Sequence, residues 1–340
     1  MLKLLGLLIG LPVVAIALFY VWATAANSDP QDYAAIVNYA PAGVDESEEK
    51  REAADDAIYT IVSYNIGYLS GLANNTTIEA DQSFFDANQA RAIAALQALN
   101  PDIIGFQEID FGSKRSYGVN QAEAIAQALK LYTGALAVNW DKNYVPFPYW
   151  PITAHFGKLL SGQAILSRHP IEKNSRLILE RVAGKPFFYR AFYLDRLAQV
   201  SQISLNGQPI IVINAHLEAF VESTRINQTQ FVRELAEDYA QSYPVIVMGD
   251  FNSSPNRAEE QSEASDFSIE VMASSEQFTS AVAKSDWNQT PTFPSDELLY
   301  KLDYIFYTPN TLEMLETQVV SAAGKSSDHL PLMMRFKLKP

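Results

Sequence analysis

The stretch VIVMGDFN, from Val245 to Asn252, decides how this sequence is interpreted. Its four apolar residues predict a short strand buried on both faces. Asp250 and Asn252 follow at the point where that strand ends. They are either an ordinary turn or the start of a site that binds metal or phosphate, because ligands of α/β sheets bind at strand ends.

The same arrangement recurs along the chain, with a polar residue after or beside each strand-like run. Each has an ordinary alternative: a turn, a strand-end charge or a histidine satisfied within its strand. An Asp inside an apolar run is harder to dismiss, because a buried carboxylate is costly unless it is paired. Apolar strands bring their ends to one edge of a sheet, so we expect these residues to converge in a cleft. They are Asn65, Glu108, His216, Asp303, Asp328 and His329.

The remaining pattern alternates short β runs with helical spacing from residue 58 onward. Residues 206–207, Asn-Gly, predict a tight hairpin between two runs. One α/β domain over residues 57–340, with a mixed sheet or two packed sheets flanked by helices, fits this order. The predicted strands are 58–64, 102–108, 162–167, 197–205, 209–215, 245–249, 302–307 and 332–338, and the predicted helices are 84–99, 121–131 and 222–239.

Residues 1–26 are predicted to be a targeting segment. Leu4 to Ala23 is an unbroken apolar run after Lys3, and about 20 such residues span a bilayer. An uncleaved transmembrane anchor and a cleaved signal peptide both fit, since Ala23-Thr24-Ala25 resembles a cleavage site. A buried core helix is the third alternative. Lys3 on the cytoplasmic side places the catalytic domain on the extracytoplasmic, periplasmic side, and residues 27–56 form a polar linker.

Composition excludes several classes. The net charge of −14 disfavours a dedicated DNA-binding protein, because non-specific binding to DNA depends on Lys and Arg. The chain has no cysteine, so disulfides and thiolate metal sites are excluded. Oxygen and imidazole ligands remain, and they favour Mg²⁺, Mn²⁺ or Ca²⁺.

Six short motifs occur in the order typical of the endonuclease/exonuclease/phosphatase superfamily, and the chain resembles that family from about Ile58 to its C-terminus. Residues 162–168 and 170–171 resemble another of its recurrent strands. The motifs are residues 63–65, 107–108, 215–217, 249–252, 302–304 and 327–331. The resemblance implies a four-layer α/β sandwich of two central mixed sheets flanked by helices, Mg²⁺ or Mn²⁺ in the cleft, and phosphoester cleavage by an activated water.

The resemblance also implies roles for individual residues. Glu108 and Asn65 are the expected metal ligands, and Asp328 is expected to support a metal. Five residues are expected to be catalytic. Asp250 orients or deprotonates the water, and Asn252 holds the water or a phosphoryl oxygen. His329 contacts the phosphoryl group as a base or stabiliser, Asp303 orients that imidazole, and His216 is a second imidazole facing the phosphate.

Arg196 is expected to bind the phosphate through its guanidinium, with Arg190 as the alternative. The family often places a cleft tyrosine before its Gly-x-Ala-x-Leu-Ser strand. Residues 158–161, Lys-Leu-Leu-Ser, occupy that place here without a tyrosine.

The substrate is left open by the family, which includes nucleases, inositol-polyphosphate phosphatases and sphingomyelinases. Trp140 to Phe156 is rich in aromatic residues and proline, and it either caps the core or presents an apolar wall to a lipid. Export, tethering and acidity favour a lipid headgroup or a small phosphodiester, with no obligate protein partner. The alternatives are an exported nuclease, an inactive membrane-tethered binding module and a Ca²⁺-binding adhesion domain.

Overall fold

The computed structural model describes residues 2–41, 57–255 and 268–340, with the backbone alone for residues 2–9. Thirteen strands and six α-helices lie in these ranges. Within this part of the chain, no helix is long and apolar enough to cross a membrane. The strands are β1 Ile36–Asn38, β2 Tyr59–Asn65, β3 Ile103–Asp110, β4 Thr133–Val145, β5 Gly157–Ser167, β6 Ile171–Ile178, β7 Leu197–Leu205, β8 Gln208–His216, β9 Val245–Asp250, β10 Thr279–Ser280, β11 Asp303–Tyr307, β12 Leu312–Val319 and β13 Leu332–Leu338. The helices are α1 Leu2–Thr24, α2 Gln82–Leu99, α3 Gln121–Leu129, α4 Phe187–Phe192, α5 Glu222–Ala240 and α6 Ser268–Ala273.

The described strands form two mixed sheets. The first sheet has the order β1-β4-β5-β3-β2-β13-β12, and the second has the order β10-β11-β9-β8-β7-β6. One pair in each sheet is parallel, β2 with β3 and β8 with β9, and the other pairs are antiparallel.

The two sheets pack face to face over an apolar core. Ile61 and Ile103 of the first sheet belong to the same buried cluster as Val212 and Val247 of the second. A separate cluster packs α2 and α3 on the outer face of the first sheet, while side chains of α5 and α6 join the core from the second sheet. This arrangement confirms the predicted fold of two central mixed sheets flanked by helices.

Local signals set the element boundaries correctly in several places. Asp81 caps α2 by accepting from the Phe84 N–H, and Asn100 ends the helix in the left-handed conformation. Asn206 and Gly207 both have positive φ, as the predicted hairpin turn requires. The helix predicted for 121–131 ends two residues earlier, because Lys130 turns left-handed and closes it.

The first sheet is wider than predicted. The long strand β4 pairs with β5 along most of its length, and Ile36–Asn38 adds β1 at its edge. Part of the predicted linker, residues 27–56, therefore contributes an edge strand to the domain. Residues 42–56 of that linker lie outside the described residues.

Strand register brings the site residues together. Asn65 pairs with Gln107 across β2 and β3, so Glu108 lies one residue further on. His216 pairs with Asp250 across β8 and β9, and Asp250 in turn pairs with Asp303 across β11. The polar ends of the strands therefore meet at one edge of the two sheets.

Candidate active site

Asp250 lies at the centre of the site and is almost fully buried. Its Oδ2 accepts a hydrogen bond from Asn65 Nδ2 at 2.9 Å, and its Oδ1 accepts one from the backbone N–H of Asn252 at 2.8 Å. Burial raises the pKa of Asp250, and the negative charge of Asp303 adds to the effect against the lowering influence of His329. A carboxylate with a raised pKa is suited to accept a proton.

The side-chain amide of Asn65 orients Asp250 with its nitrogen and is itself held in place through its oxygen. Besides donating to Asp250, it accepts from the backbone N–H of Gly67 at 3.1 Å through Oδ1. In this geometry the amide orients a carboxylate, and its expected role as a metal ligand stays a prediction.

His329 and Asp303 form a buried pair next to Asp250. His329 Nδ1 lies 2.9 Å from Asp303 Oδ2, and His329 Nε2 lies 3.7 Å from Asp250 Oδ2. Burial alone lowers the pKa of His329, but the carboxylates of Asp303 and Asp250 outweigh it and raise the pKa to about 10. The imidazole is therefore positively charged at neutral pH, which favours the stabiliser over the base among its two expected roles. Asp303 contacts Nδ1, in the position expected of an orienting carboxylate.

His216 has the opposite electrostatic character. Its Nε2 lies 2.5 Å from Arg196 Nη1, 3.6 Å from Asp250 Oδ2 and 3.8 Å from Glu108 Oε1. Burial, together with the positive charges of Arg196 and His329, lowers its pKa well below the usual value. His216 is thus neutral, and its Nε2 accepts a hydrogen bond from the guanidinium.

Arg196 is held from the other side by Glu218, whose Oε2 lies 3.7 Å from Arg196 Nε. The loop that carries Glu218 is anchored to α5. Gln228 Oε1 accepts from the Glu218 N–H at 2.7 Å, and Arg225 donates to the Glu218 carbonyl at 2.9 Å. Arg190, the alternative phosphate ligand, is exposed and lies outside the lining of the cleft.

Glu108 is aimed into the cleft by an irregularity of its strand. The pairing of β3 with β5 shifts register between Phe106 and Ile109, and Glu108 has a φ of +51°. A bulge of this kind changes the direction of a side chain. Its carboxylate accepts a hydrogen bond from Asn74 Nδ2 at 2.9 Å.

The same Asn74 nitrogen lies 3.3 and 3.2 Å from the two oxygens of Asp328. Glu108 and Asp328 therefore converge on one point, although they repel each other. Burial, followed by the charge of Glu108, raises the pKa of Asp328 to about 6. Two converging carboxylates beside amide groups match the oxygen ligands of Mg²⁺ or Mn²⁺, so these residues fit the expected metal.

Asp250, Asp303 and His329 also place one ligand atom each within 4.8 Å of the others. This second set is less suited to a metal. His329 Nδ1 is engaged with Asp303, and the raised pKa keeps the imidazole protonated. Because a histidine ligand must be neutral, the pair of Glu108 and Asp328 is the better metal site.

All these groups line or lie just beneath a cleft of about 940 Å³. Its lining has a polar part, which we call the floor, and an apolar part, which we call the wall. Asn65 and Asp303 lie behind the floor, outside the lining. The lining of the floor comprises Glu108, Arg196, His216, Asp250, Asn252, Asp328 and His329, and the wall comprises Trp140, Val145, Pro146, Phe147, Tyr149, Phe188, Tyr189, Phe192, Tyr193, Leu194 and Phe220.

Three residues that line the cleft were not predicted from the sequence. Asn74 belongs to the polar stretch Asn74-Asn75-Thr76-Thr77, whose composition is typical of a turn. Tyr68 and Tyr193 are cleft tyrosines at positions other than the one the family resemblance suggests. The guanidinium of Arg115 lies 3.2 Å from the centre of the Tyr68 ring. This contact joins segments that are distant in sequence, so no local motif predicts it.

Two central mixed sheets flanked by helices, with a polar cleft at their strand ends, define an α/β protein of the endonuclease/exonuclease/phosphatase type of fold. The chain belongs to the Endonuclease/Exonuclease/phosphatase family, whose pattern matches residues 62–329. The family is named for nucleases and phosphatases, enzymes that cleave phosphoesters. Members of this family generally use divalent metal ions.

Solved structures support the fold. An endonuclease/exonuclease/phosphatase from Beutenbergia cavernae superposes with a TM-score of 0.59 at 18% identity, covering 83% of this chain and 72% of that one. The human Nocturnin catalytic domain with bound sulfate gives 0.58 at 18% identity, covering 92% and 100%. A mannosyl-6-phosphatase from Bacteroides thetaiotaomicron gives 0.57 at 16%, covering 83% and 100%.

Among curated proteins, the chain is similar to a UPF0294 protein of Vibrio cholerae. The two are 34% identical over 133 residues, which cover 39% of this chain and 42% of the relative. The matched region thus spans less than half of either protein.

Proposed function

We propose that the protein hydrolyses a phosphodiester with Mg²⁺ or Mn²⁺ bound by Glu108 and Asp328. The observation that carries this proposal is the convergence of these two carboxylates on the Asn74 nitrogen, beside Asp250 and His329 on one cleft floor. When bound, the metal would neutralise phosphoryl charge and polarise the scissile bond.

The residues of the floor divide the remaining work. Asp250, whose pKa is raised, takes the proton of the attacking water. The backbone N–H of Asn252 fixes the orientation of that carboxylate through its Oδ1. Asn252 lines the cleft, and its side-chain amide donates to the Leu217 carbonyl at 3.0 Å. His329 stays protonated and stabilises the developing negative charge, and Arg196 adds a guanidinium for the phosphate oxygens.

His216 contributes as a neutral imidazole. Its lowered pKa keeps it uncharged beside Arg196, so it positions the guanidinium without repelling it. Asp250, His329 and Arg196 thus take the roles of base, stabiliser and phosphate ligand. Their surroundings give each of them the charge state that its role requires.

For the substrate, we propose a lipid headgroup phosphoester or a small phosphodiester. Arg196 is the one Lys or Arg among the described residues that line the cleft. A polynucleotide requires several such contacts for its phosphates. The apolar wall instead suits a hydrocarbon substituent.

Two alternatives remain, and a specific observation favours the first. The aromatic wall offers faces on which bases stack, which favours an exported nuclease acting on single strands. An inactive, membrane-tethered binding module is the second alternative, and it requires a folded protein without metal-dependent turnover.

We also propose that residues 1–26 attach the protein to a membrane and that the catalytic domain lies on the extracytoplasmic side. The support is the apolar run from Leu4 to Ala23 after Lys3 in the sequence. Protease digestion of intact and permeabilised cells that express the full chain tests this orientation. Digestion of the catalytic domain without permeabilising the inner membrane supports it, and protection contradicts it.

A substrate comparison tests the choice of phosphoester. Full-length protein is incubated with Mg²⁺ and equal phosphate concentrations of mixed phospholipid micelles, short soluble phosphodiesters, single-stranded DNA and RNA. The proposal predicts release of headgroup or alcohol from the first two classes. Efficient cleavage of nucleic acid with both other classes untouched would overturn it in favour of the nuclease.

A further inference from the structure

Large apolar side chains are exposed to solvent at the rim of the cleft and along the helix that packs against its wall, and together they form one set. It consists of the described part of α1, helix α4, and two loops at the rim of the cleft. The exposed members are Leu11, Val13, Val14, Ile16, Leu18, Phe19, Val21, Trp22, Tyr149, Trp150, Ile152, Phe187, Phe188 and Phe220. We call this set the aromatic face.

Helix α1 is apolar around its whole circumference. Val13, Val14, Ile16 and Leu18 are each more than half exposed, and at 100° per residue they point in different directions. A protein partner in a groove would cover one stripe of such a helix, whereas a bilayer covers every side. The exposure pattern therefore favours lipid as the occupant.

The end of α1 is fixed against the wall of the cleft. Tyr20 contacts Phe192 and Phe187 with ring centres 5.8 and 6.0 Å apart, and Phe19 contacts Tyr144 at 5.8 Å. Phe192 itself lines the cleft. A membrane that holds α1 would consequently lie next to the mouth of the active site.

The rim of the cleft continues the same surface. Tyr149, Phe188 and Phe220 line the cleft and are 74%, 56% and 78% exposed, and Trp150, beside them, is 75% exposed. Trp and Tyr are enriched where proteins meet the interface of a bilayer.

Exposed cations flank this apolar surface. Lys185 and Arg190 lie beside and within α4, and Lys185 Nζ is 5.3 Å from the centre of the Tyr189 ring. Basic side chains next to an apolar surface match the phosphates of anionic lipids. In a protein with a net charge of −14, this local basic border sets the aromatic face apart from the overall charge.

We propose that the aromatic face docks on a phospholipid bilayer, with Trp150 and Phe220 inserted at the interface, so that the cleft opens directly onto the lipid surface. This inference rests on the proposed attachment through α1 and deepens the proposed lipid substrate. Docking of the aromatic face does not depend on the identity of the headgroup or on the chemistry at the floor of the cleft.

The test uses full-length protein in nanodiscs of phosphatidylcholine and phosphatidylglycerol whose acyl chains are brominated, because bromine quenches nearby tryptophan. The protein has four tryptophans, of which Trp140 and Trp287 are buried and Trp22 lies in α1. The Trp22→Phe variant leaves Trp150 as the exposed tryptophan, and Trp22→Phe combined with Trp150→Phe provides the subtraction.

Brominated nanodiscs are expected to quench most of the emission that Trp150 contributes. On lipid substrates, Trp150→Ser should lower turnover about tenfold, because an apolar side chain at the interface is lost. Hydrolysis of a soluble aryl phosphodiester should stay within about twofold of the parent protein, because Trp150 lies outside the cleft lining. The matched control is Phe231→Ser on α5, which is 44% exposed and outside the cleft lining; it should change neither rate.

Each other result has a distinct meaning. Protein that coelutes with the nanodiscs but shows unquenched Trp150 overturns the docking of the aromatic face and leaves the attachment intact. Protein that does not coelute overturns both. Absence of metal-dependent hydrolysis of the soluble diester, alongside quenched Trp150, refutes the proposed chemistry and leaves the docking surface standing.

Discussion

At the scale of single residues, the site works by assigning opposite charge states to similar groups. His329 is kept protonated by two carboxylates, whereas His216 is kept neutral by burial and by Arg196. Asp250 has a raised pKa although it sits only 3.7 Å from the His329 imidazolium. The two imidazoles thereby take different charge states without any difference in residue type, and the role of base falls on Asp250.

Asp303→Asn tests the role of the buried pair. The change removes the carboxylate that holds the His329 imidazolium, so the pKa of His329 falls toward its ordinary value. If His329 acts as a protonated stabiliser, activity is lost as the pH rises through that pKa, so the alkaline limit of kcat/KM moves to lower pH. At pH 8 we expect a loss of about 100-fold.

The measurement is the pH profile of kcat/KM, with exposed Asp286→Asn as the control that should leave it unchanged. An unshifted alkaline limit with near-normal activity in Asp303→Asn would show that His329 does not depend on this pair.

Asn74→Ala tests the metal site. Asn74 holds Glu108 and Asp328 toward one point, and loss of a group that orients metal ligands costs about 10–100-fold in affinity. Titration calorimetry with Mn²⁺ measures this directly. Asn227→Ala serves as the control, because Asn227 on α5 donates its side-chain hydrogen bond to Glu180 at the exposed surface and contacts neither metal ligand. Unchanged Mn²⁺ affinity in Asn74→Ala would remove this residue from the metal site.

At the scale of elements, buried polar side chains join the two sheets beneath the site. Gln107 Nε2 of β3 donates to Asn214 Oδ1 of β8 at 2.6 Å, and Asn214 Nδ2 donates to the carbonyl of Phe106 at 2.9 Å. Because these bonds run between sheets, they fix the distance between Glu108 at the end of one sheet and His216 at the end of the other.

Close approach between β8 and β9 requires glycine at position 249. A Cβ there would lie 1.9 Å from the Ala215 carbonyl oxygen, and Gly249 has a φ of +142°. We expect Gly249→Ala to destabilise the protein by about 3 kcal/mol or more and to displace Asp250, as measured by chemical denaturation and kcat.

Gly184→Ala is the matched control, because Gly184 also has positive φ (+73°) but no atom within 4 Å of the added Cβ. It should cost only about 1 kcal/mol. Equal losses in the two variants would mean that backbone strain, rather than the approach of β8, limits position 249.

Elements with strong local signals were predictable, and those set by tertiary pairing were not. Helix α2, predicted over residues 84–99 and observed over Gln82–Leu99, and the hairpin turn at 206–207 follow from the sequence alone. Strand β4 was missed because its residues 140–145 carry aromatic and polar side chains, and its register is set by β5. The bulge that turns Glu108 into the cleft has no signature in the residues around it.

At the scale of the whole molecule, the site could be predicted as a set of strand-end residues but not as a geometry. The structure brings the predicted residues together around Asp250 and separates Arg196 from the alternative Arg190. It adds Asn74, Tyr68 and Tyr193, whose positions depend on loops far apart in sequence. Their contacts arise from packing, so spacing along the chain carries no signal for them.

The distribution of charge predicts how the protein responds to polyanions. The chain has a net charge of −14, and one arginine lines the described cleft. Duplex DNA at about 0.15 M salt should therefore not inhibit hydrolysis of a soluble aryl phosphodiester. Strong inhibition that weakens as salt is added would reveal a basic groove and favour the nuclease alternative.

We propose above that Glu108, Asp328, Asp250 and His329 form a metal-dependent phosphodiesterase site. The most direct measurement is hydrolysis of an aryl phosphodiester by the full-length protein with Mg²⁺, with Mn²⁺ and with EDTA, alongside His329→Ala and the surface control Asp286→Asn. We expect turnover that requires metal, falls by about 100-fold or more in His329→Ala and is unchanged in the control. No turnover with either metal in folded protein, or turnover that EDTA and His329→Ala leave intact, would contradict it.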